Sequence, residues 1–192
     1  MSRLPNRRTS ILALTSVVLA ACGILQPTPA YFRPPLPDAE QMPDLQVEDA
    51  VAQLEERGFE CEFDPGGDVA SGWSCRRGNQ EGGDSMGVSF RSAETGPIES
   101  VHANRTIRLE GDTGPEPSEL DAAAAADFHE NVIEMIVPEA QRPTEGGLLA
   151  GVQSNYPVDL GEGWFLGFDR NAVSRSMNIV FTADEGFLLP EQ

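Results

Sequence analysis

Phe59-Glu60-Cys61-Glu62-Phe63 and, ten residues further on, Trp73-Ser74-Cys75-Arg76 decide how this chain is read. In the first stretch Phe59, Cys61 and Phe63 alternate with two glutamates, the period-two pattern of a half-buried strand. In the second, Trp73 and Cys75 share a face, with Ser74 and Arg76 opposite. Pro65, Gly66 and Gly67 lie in the turn region from Asp64 to Gly72 that joins them. The two stretches therefore form a hairpin that brings Cys61 and Cys75 together on its inner face. A bridge there would close a loop worth about 3 kcal/mol.

Working outward, Val47, Ala50, Val51 and Leu54 recur at helical spacing over residues 46–57, and Gly58 is a stop for that helix. Met86, Val88 and Phe90 alternate as a third strand. Residues 98–109 form a long fourth strand, with Val101, Ala103, Ile107 and Leu109 on one face and Arg105 as the exception. Ser118 caps a second helix, with Asp121 in a loose capping-box position. Leu120, Ala124, Phe128, Val132, Met135 and Ile136 form its apolar stripe, and Pro138 ends it. Residues 139–160 read as a loop with one helical turn near Leu148. Trp164 to Phe168 and Met177 to Phe181 make a terminal hairpin, and the tail from Phe187 packs loosely. The expected fold is α+β, a mostly antiparallel sheet of five or six strands with two helices on one face.

The N-terminus has a different character. Arg3, Arg7 and Arg8 precede a short apolar run from Ile11 to Ala21, too short to span a bilayer as a helix. This is the layout of a secretory signal peptide. The run closes on Leu19-Ala20-Ala21-Cys22-Gly23, which resembles the lipobox of bacterial lipoproteins. That resemblance implies cleavage after Ala21, acylation of Cys22, and a protein on the extracytoplasmic face of a cell membrane. Cleavage near Ala21 by an ordinary signal peptidase, with Cys22 an incidental thiol, is the alternative. With Cys22 acylated, the odd count of three cysteines leaves an even pair, and in an oxidising compartment Cys61 and Cys75 form a disulfide. The expected organisation is a signal peptide over 1–21, a lipidated cysteine and proline-rich tether over 22–44, and a single α+β domain over 45–192. Six prolines between Pro27 and Pro43 favour an extended tether. The body, through Gly58, Phe59, Cys61, Trp73 and Cys75, also resembles uncharacterised lipoproteins of high-GC actinobacteria, which implies no particular activity.

Charge and composition exclude more than they name. The 192 residues carry 31 acids against 13 arginines and no lysine, a net charge of −18. Beyond Cys22 the chain holds ten of those arginines and every acid, a charge of −21. No nucleic acid is expected as a partner, because phosphate contacts need a basic footprint. A lysine-dependent phosphate loop is excluded, since the chain has no lysine. His102 and His129 are the two histidines. Both read as ordinary surface residues rather than catalytic bases. Acidic loops at Asp64–Asp68, Glu81–Asp84 and Glu110–Asp112 lack EF-hand spacing and read as solvated turns, so no metal and no cofactor are expected. Ser100, His102, Asn104, Thr106 and Arg108 put hydrogen-bonding groups along one face of the fourth strand, a candidate recognition row. The sequence thus points to a membrane-anchored lipoprotein with a non-catalytic binding or structural domain. Its expected partners are the membrane, through its lipid, and an unknown envelope protein. An envelope hydrolase using acidic residues, or an inhibitor or assembly partner, is the alternative.

Overall fold

Val47, Ala50, Val51 and Leu54 are all buried, on one side of helix α1 (Val47–Glu56), in a computed structural model that describes residues 36–66, 71–79, 84–107 and 116–183. Gly58 sits at φ +82°, in the left-handed region. There the chain reverses, and the Gly58 and Phe59 N–H groups donate to Glu55 O and Leu54 O.

A four-strand meander follows: β1 (Glu60–Asp64), β2 (Gly72–Asn79), β3 (Asp84–Ser92) and β4 (Ile98–Thr106). Helix α2 (Pro117–Phe128) runs on through a π-helical turn (His129–Ile133) and a last helical turn (Glu134–Ile136). After a 3₁₀ turn (Glu139–Gln141) come helix α3 (Glu145–Ser154) and the strands β5 (Val158–Gly161), β6 (Trp164–Arg170) and β7 (Ser174–Phe181). All seven strands form one antiparallel sheet, in the order β1-β2-β3-β4-β7-β6-β5. Two meanders are thus joined through β4 and β7. One face carries Val88, Phe90, Val101, Ala103, Leu166, Phe168, Met177 and Ile179, which share a core with Leu54, Phe128 and Leu148 of the helices.

The α+β architecture agrees with the expectation, but the sheet has seven strands and three helices cover it. The segment read as a loop contains both missing elements. Its helix α3 includes Gly146, Gly147 and Gly151, residues of poor helix propensity. Three features hold it. Thr144 Oγ1 accepts from Gly147 N at 3.1 Å, Leu148 and Val152 are buried one turn apart, and Asn155 ends the helix at φ 56°. Gly151 also sets the packing distance, since a Cβ there would lie 2.4 Å from the Phe168 ring. Close approach to β6 outweighs the propensity cost.

The start of α2 also differs. Glu116 is the N-cap, without a side-chain cap hydrogen bond, and Pro117 occupies the first turn. Proline presets the helical φ there. Ser118 is exposed and caps nothing. Asp121 is buried instead and pairs with Arg175 Nε. Arg175, 2% exposed, also donates to Asn171 O at 2.6 Å and Ser174 O at 2.9 Å. Its register partner on β4 is Arg105. Arg105 Nε lies 2.5 Å from Asp127 Oδ2, and its Nη1 pairs with Asp84. Burial pulls the Arg105 pKa down, but hydrogen bonds and charge from Asp84 and Asp127 outweigh it and raise the pKa. Two aspartates of α2 therefore pin the helix to two adjacent arginines of the sheet.

The fold begins before residue 45. Glu40 N donates to Phe181 O at 2.8 Å and Met42 N to Ile98 O at 2.7 Å. Met42 is 2% exposed. Leu36 rests on Gly167 of β6, where a Cβ would come within 2.6 Å of it. Residues 36–44 thus belong to the folded body rather than to a free tether.

Candidate functional site

The face of the sheet turned away from the helices is built by strand register. Glu62, Ser74, Ser89, His102 and Asn178 form one rung across β1, β2, β3, β4 and β7. The next rung is Glu60, Arg76, Gly87, Asn104 and Ser176, and a third holds Ser85, Thr106 and Ser174. Directly opposed residues have Cβ atoms about 5 Å apart, so their side chains interact.

Hydrogen bonds link these rungs. His102 Nδ1 meets Asn178 Oδ1 at 2.9 Å. An amide oxygen only accepts, so Nδ1 is the donor in this contact. Thr106 Oγ1 donates to Asn104 Oδ1 at 2.9 Å, and Asn104 Nδ2 donates to Ser176 Oγ at 3.0 Å. These bonds fix the side chains of β4 against β7 before any ligand arrives.

Over β2, β3 and β4 this face forms a groove of about 470 Å³ lined by Ser74, Arg76, Ser85, Met86, Gly87, Ser89, His102, Asn104 and Thr106. Ser100 and His102 line a shallower depression of about 280 Å³ at one end. Glu60, Glu62, Ser74 and Arg76 line a third, of about 450 Å³, toward the β1 edge. Of the candidate row, Ser100, His102, Asn104 and Thr106 lie on this open face, while Arg108 lies outside the described residues. Cys22 also lies outside them. The row showed in the alternation of β4. Ser74, Ser89, Ser176 and Asn178 join it only through the register.

Ser85, the serine of the stretch Gly83-Asp84-Ser85-Met86-Gly87, lies within β3 rather than on a strand-to-helix turn, so this stretch is not a nucleophile elbow. Ser89 stands opposite His102, but among the described residues no hydrogen bond joins the two. The backbone N–H groups of β3 and β4 are engaged in ladders on both sides, so they offer no oxyanion hole. His129, in the π-helical turn that continues α2, has Nδ1 3.5 Å from Glu134 Oε1. Among the described residues no cluster of three or more His, Cys, Asp or Glu side chains is arranged to hold a metal. In the acidic loops, Asp64 Oδ1 accepts from Gly66 N at 2.9 Å, and Asp84 pairs with Arg105. Asp68, Glu81, Glu110 and Asp112 lie outside the described residues.

The Cys61–Cys75 disulfide is present, with Cα atoms 4.0 Å apart. The two cysteines are directly opposed register partners on β1 and β2. Cys75 is fully buried, so the bridge ties the edge strand to the core. No described helix is long and apolar enough to cross a membrane.

Fold and site together define a helix-backed antiparallel sheet whose opposite face is an open polar groove. No protein family, curated protein or solved structure matches the chain.

Proposed function

We propose that this is a lipid-anchored extracytoplasmic binding protein, held to the membrane by acylated Cys22, with the polar sheet face as its recognition surface. The observation that carries the binding half is the groove itself, a concave floor of hydroxyl and amide groups braced by the His102–Asn178 and Asn104–Ser176 bonds. The anchor half rests on the lipobox resemblance. Two measurements test the proposal. Replacing Cys22 with serine should move the protein from the membrane to the soluble fraction. A photo-crosslinking residue at Ser89 should capture a component of intact cells, while one at exposed Ser118, on α2, should not. A Cys22→Ser protein that stays in the membrane removes the anchor; equal capture from both positions removes the recognition surface.

A hydrolase is the second reading, favoured by one observation: Glu60 and Glu62 share a depression beside the groove. Two residues apart on a strand, their Cα atoms are about 7 Å apart, a spacing compatible with an acid–base pair of the inverting type. Both side chains are exposed on an edge strand. A general acid near neutral pH needs desolvation to keep its proton, so binding takes precedence. Release of reducing sugar from a glycan by the wild type, abolished in both Glu60→Gln and Glu62→Gln, would reverse that order.

A further inference from the structure

We infer that the groove takes a strand of uncharged polysaccharide, an inference that rests on the polar face being the recognition surface. Of its floor residues, Ser74, Ser85 and Ser89 can each donate and accept, Asn104 keeps a second N–H beyond the one given to Ser176, and Thr106, its proton given to Asn104, accepts. That chemistry matches a ligand covered in hydroxyl groups. Three other ligand classes fit poorly. An amphipathic helix needs apolar anchors, and the exposed large hydrophobic residue among those described, Val173, lies in the β6–β7 turn rather than on this floor. An extended peptide adding to the sheet needs a free edge, and the floor strands β2, β3 and β4 are each paired on both sides. An anionic polymer meets a protein of charge −18, and Arg76, the cation of the groove, stands in one rung with Glu60 and beside Glu62.

Shape agrees with a linear polymer. From Ser100 to Thr106 the face extends about 20 Å along the strand, and the groove and its end depression are continuous through Ser74, Ser89 and His102. His102, its Nδ1 held by Asn178, leaves Nε2 for a hydrogen bond with a sugar hydroxyl, which can donate or accept.

The test titrates the full-length chain, purified in a detergent without sugar groups, with maltohexaose, cellohexaose, laminarihexaose, hexagalacturonate and an alanine–glycine hexapeptide, read by calorimetry. At least one neutral hexasaccharide should bind. Ser89→Trp, which fills the floor, and Asn104→Ala, each with folding verified by circular dichroism, should weaken that binding tenfold or more, while Ser118→Trp leaves it unchanged. Failure of all three neutral sugars, tighter binding of hexagalacturonate or the peptide, or unaltered binding by both groove variants overturns the inference. Capture of a protein by the crosslinker at Ser89 would also overturn it, yet leave the polar face standing as a recognition surface.

Discussion

Replacing Asp121 with alanine isolates the contact that fixes α2 to the sheet. In the native protein Arg175 is 2% exposed and Asp121 3% exposed, and their ion pair is accompanied by two short hydrogen bonds from Arg175 Nη1 to backbone oxygens. The alanine variant keeps the backbone acceptors but leaves a buried guanidinium without a countercharge. Breaking a buried pair from one side costs about 3–5 kcal/mol, which in a chain of this length lowers Tm by roughly 10 °C. The exposed Arg91–Glu99 pair, at 2.9 Å with side chains 59% and 43% accessible, is the reference, and Arg91→Ala should cost about 0–1 kcal/mol. Urea denaturation followed by Trp73 and Trp164 fluorescence measures both. Asp121→Leu combined with Arg175→Met should recover most of the loss, because apolar replacement of a whole buried pair is near neutral or stabilising. If Asp121→Ala costs no more than Arg91→Ala, the pair is hydrated and does not pin the helix.

Four smaller perturbations check other contacts. Removing both Cys61 and Cys75 as alanines should cost about 3 kcal/mol, and peptide mapping of the non-reduced wild type should show the two linked. Gly151→Ala gains about 1 kcal/mol of helix propensity but drives a Cβ into the Phe168 ring, so thermal denaturation should show a net loss of about 1–2 kcal/mol. Gly167→Ala should displace Leu36 and speed hydrogen exchange at the Glu40 and Met42 amides while leaving Met177 and Ile179 protected. The Glu48 carboxylate accepts from Gly96 N at 2.9 Å, and that backbone bond lowers its pKa below 4.5. Its contribution is therefore complete above the unfolded pKa and is lost as pH falls through the folded one. The stability difference between wild type and Glu48→Gln should shrink on acidification below about pH 4.5, as equilibrium unfolding across pH would show.

What could be read from the sequence was local. The stripe from Val47 to Leu54 and the alternations around Cys61, Cys75, Val88 and Met177 needed no information beyond their own spacing. Elements whose reason lies elsewhere were missed. α3 contains glycine because Phe168 crowds it, and Phe168 is 17 residues away. Three residues after Ser118, Asp121 fits a loose capping-box position, and its neighbours supply no hint of Arg175, 54 positions on. A sign was nevertheless present. Arg175 shares the inward parity of Met177 and Ile179, as Arg105 shares that of Val101 and Ala103. A charge at an inward strand position demands a countercharge. Two arginines at such positions and two aspartates, Asp121 and Asp127, flanking a run of five alanines on the helix make a solvable pairing. The site divides the same way: the row on β4 follows from alternation, whereas its partners on β7 are 72 and 76 residues distant.

The polar face is not uniform, and its two halves explain each other. Over β6 and the adjoining end of β7 it carries Phe165 and Val180, register partners that are 3% and 7% exposed. Leu36 packs on Gly167 in the same region, and Glu40 and Met42 hydrogen-bond at the end of β7 and the start of β4. Where this face offers apolar surface, Leu36 of the chain's own N-terminal segment rests on it at Gly167, a contact that apolar burial favours. Over β2, β3 and β4 the face carries serine, glycine, asparagine and threonine, and no chain segment among the described residues crosses it. Hydration satisfies the hydroxyl and amide groups of such a surface well. A ligand that displaces that water must replace hydrogen bond for hydrogen bond. The composition that leaves the groove open is therefore the same property that restricts what can fill it.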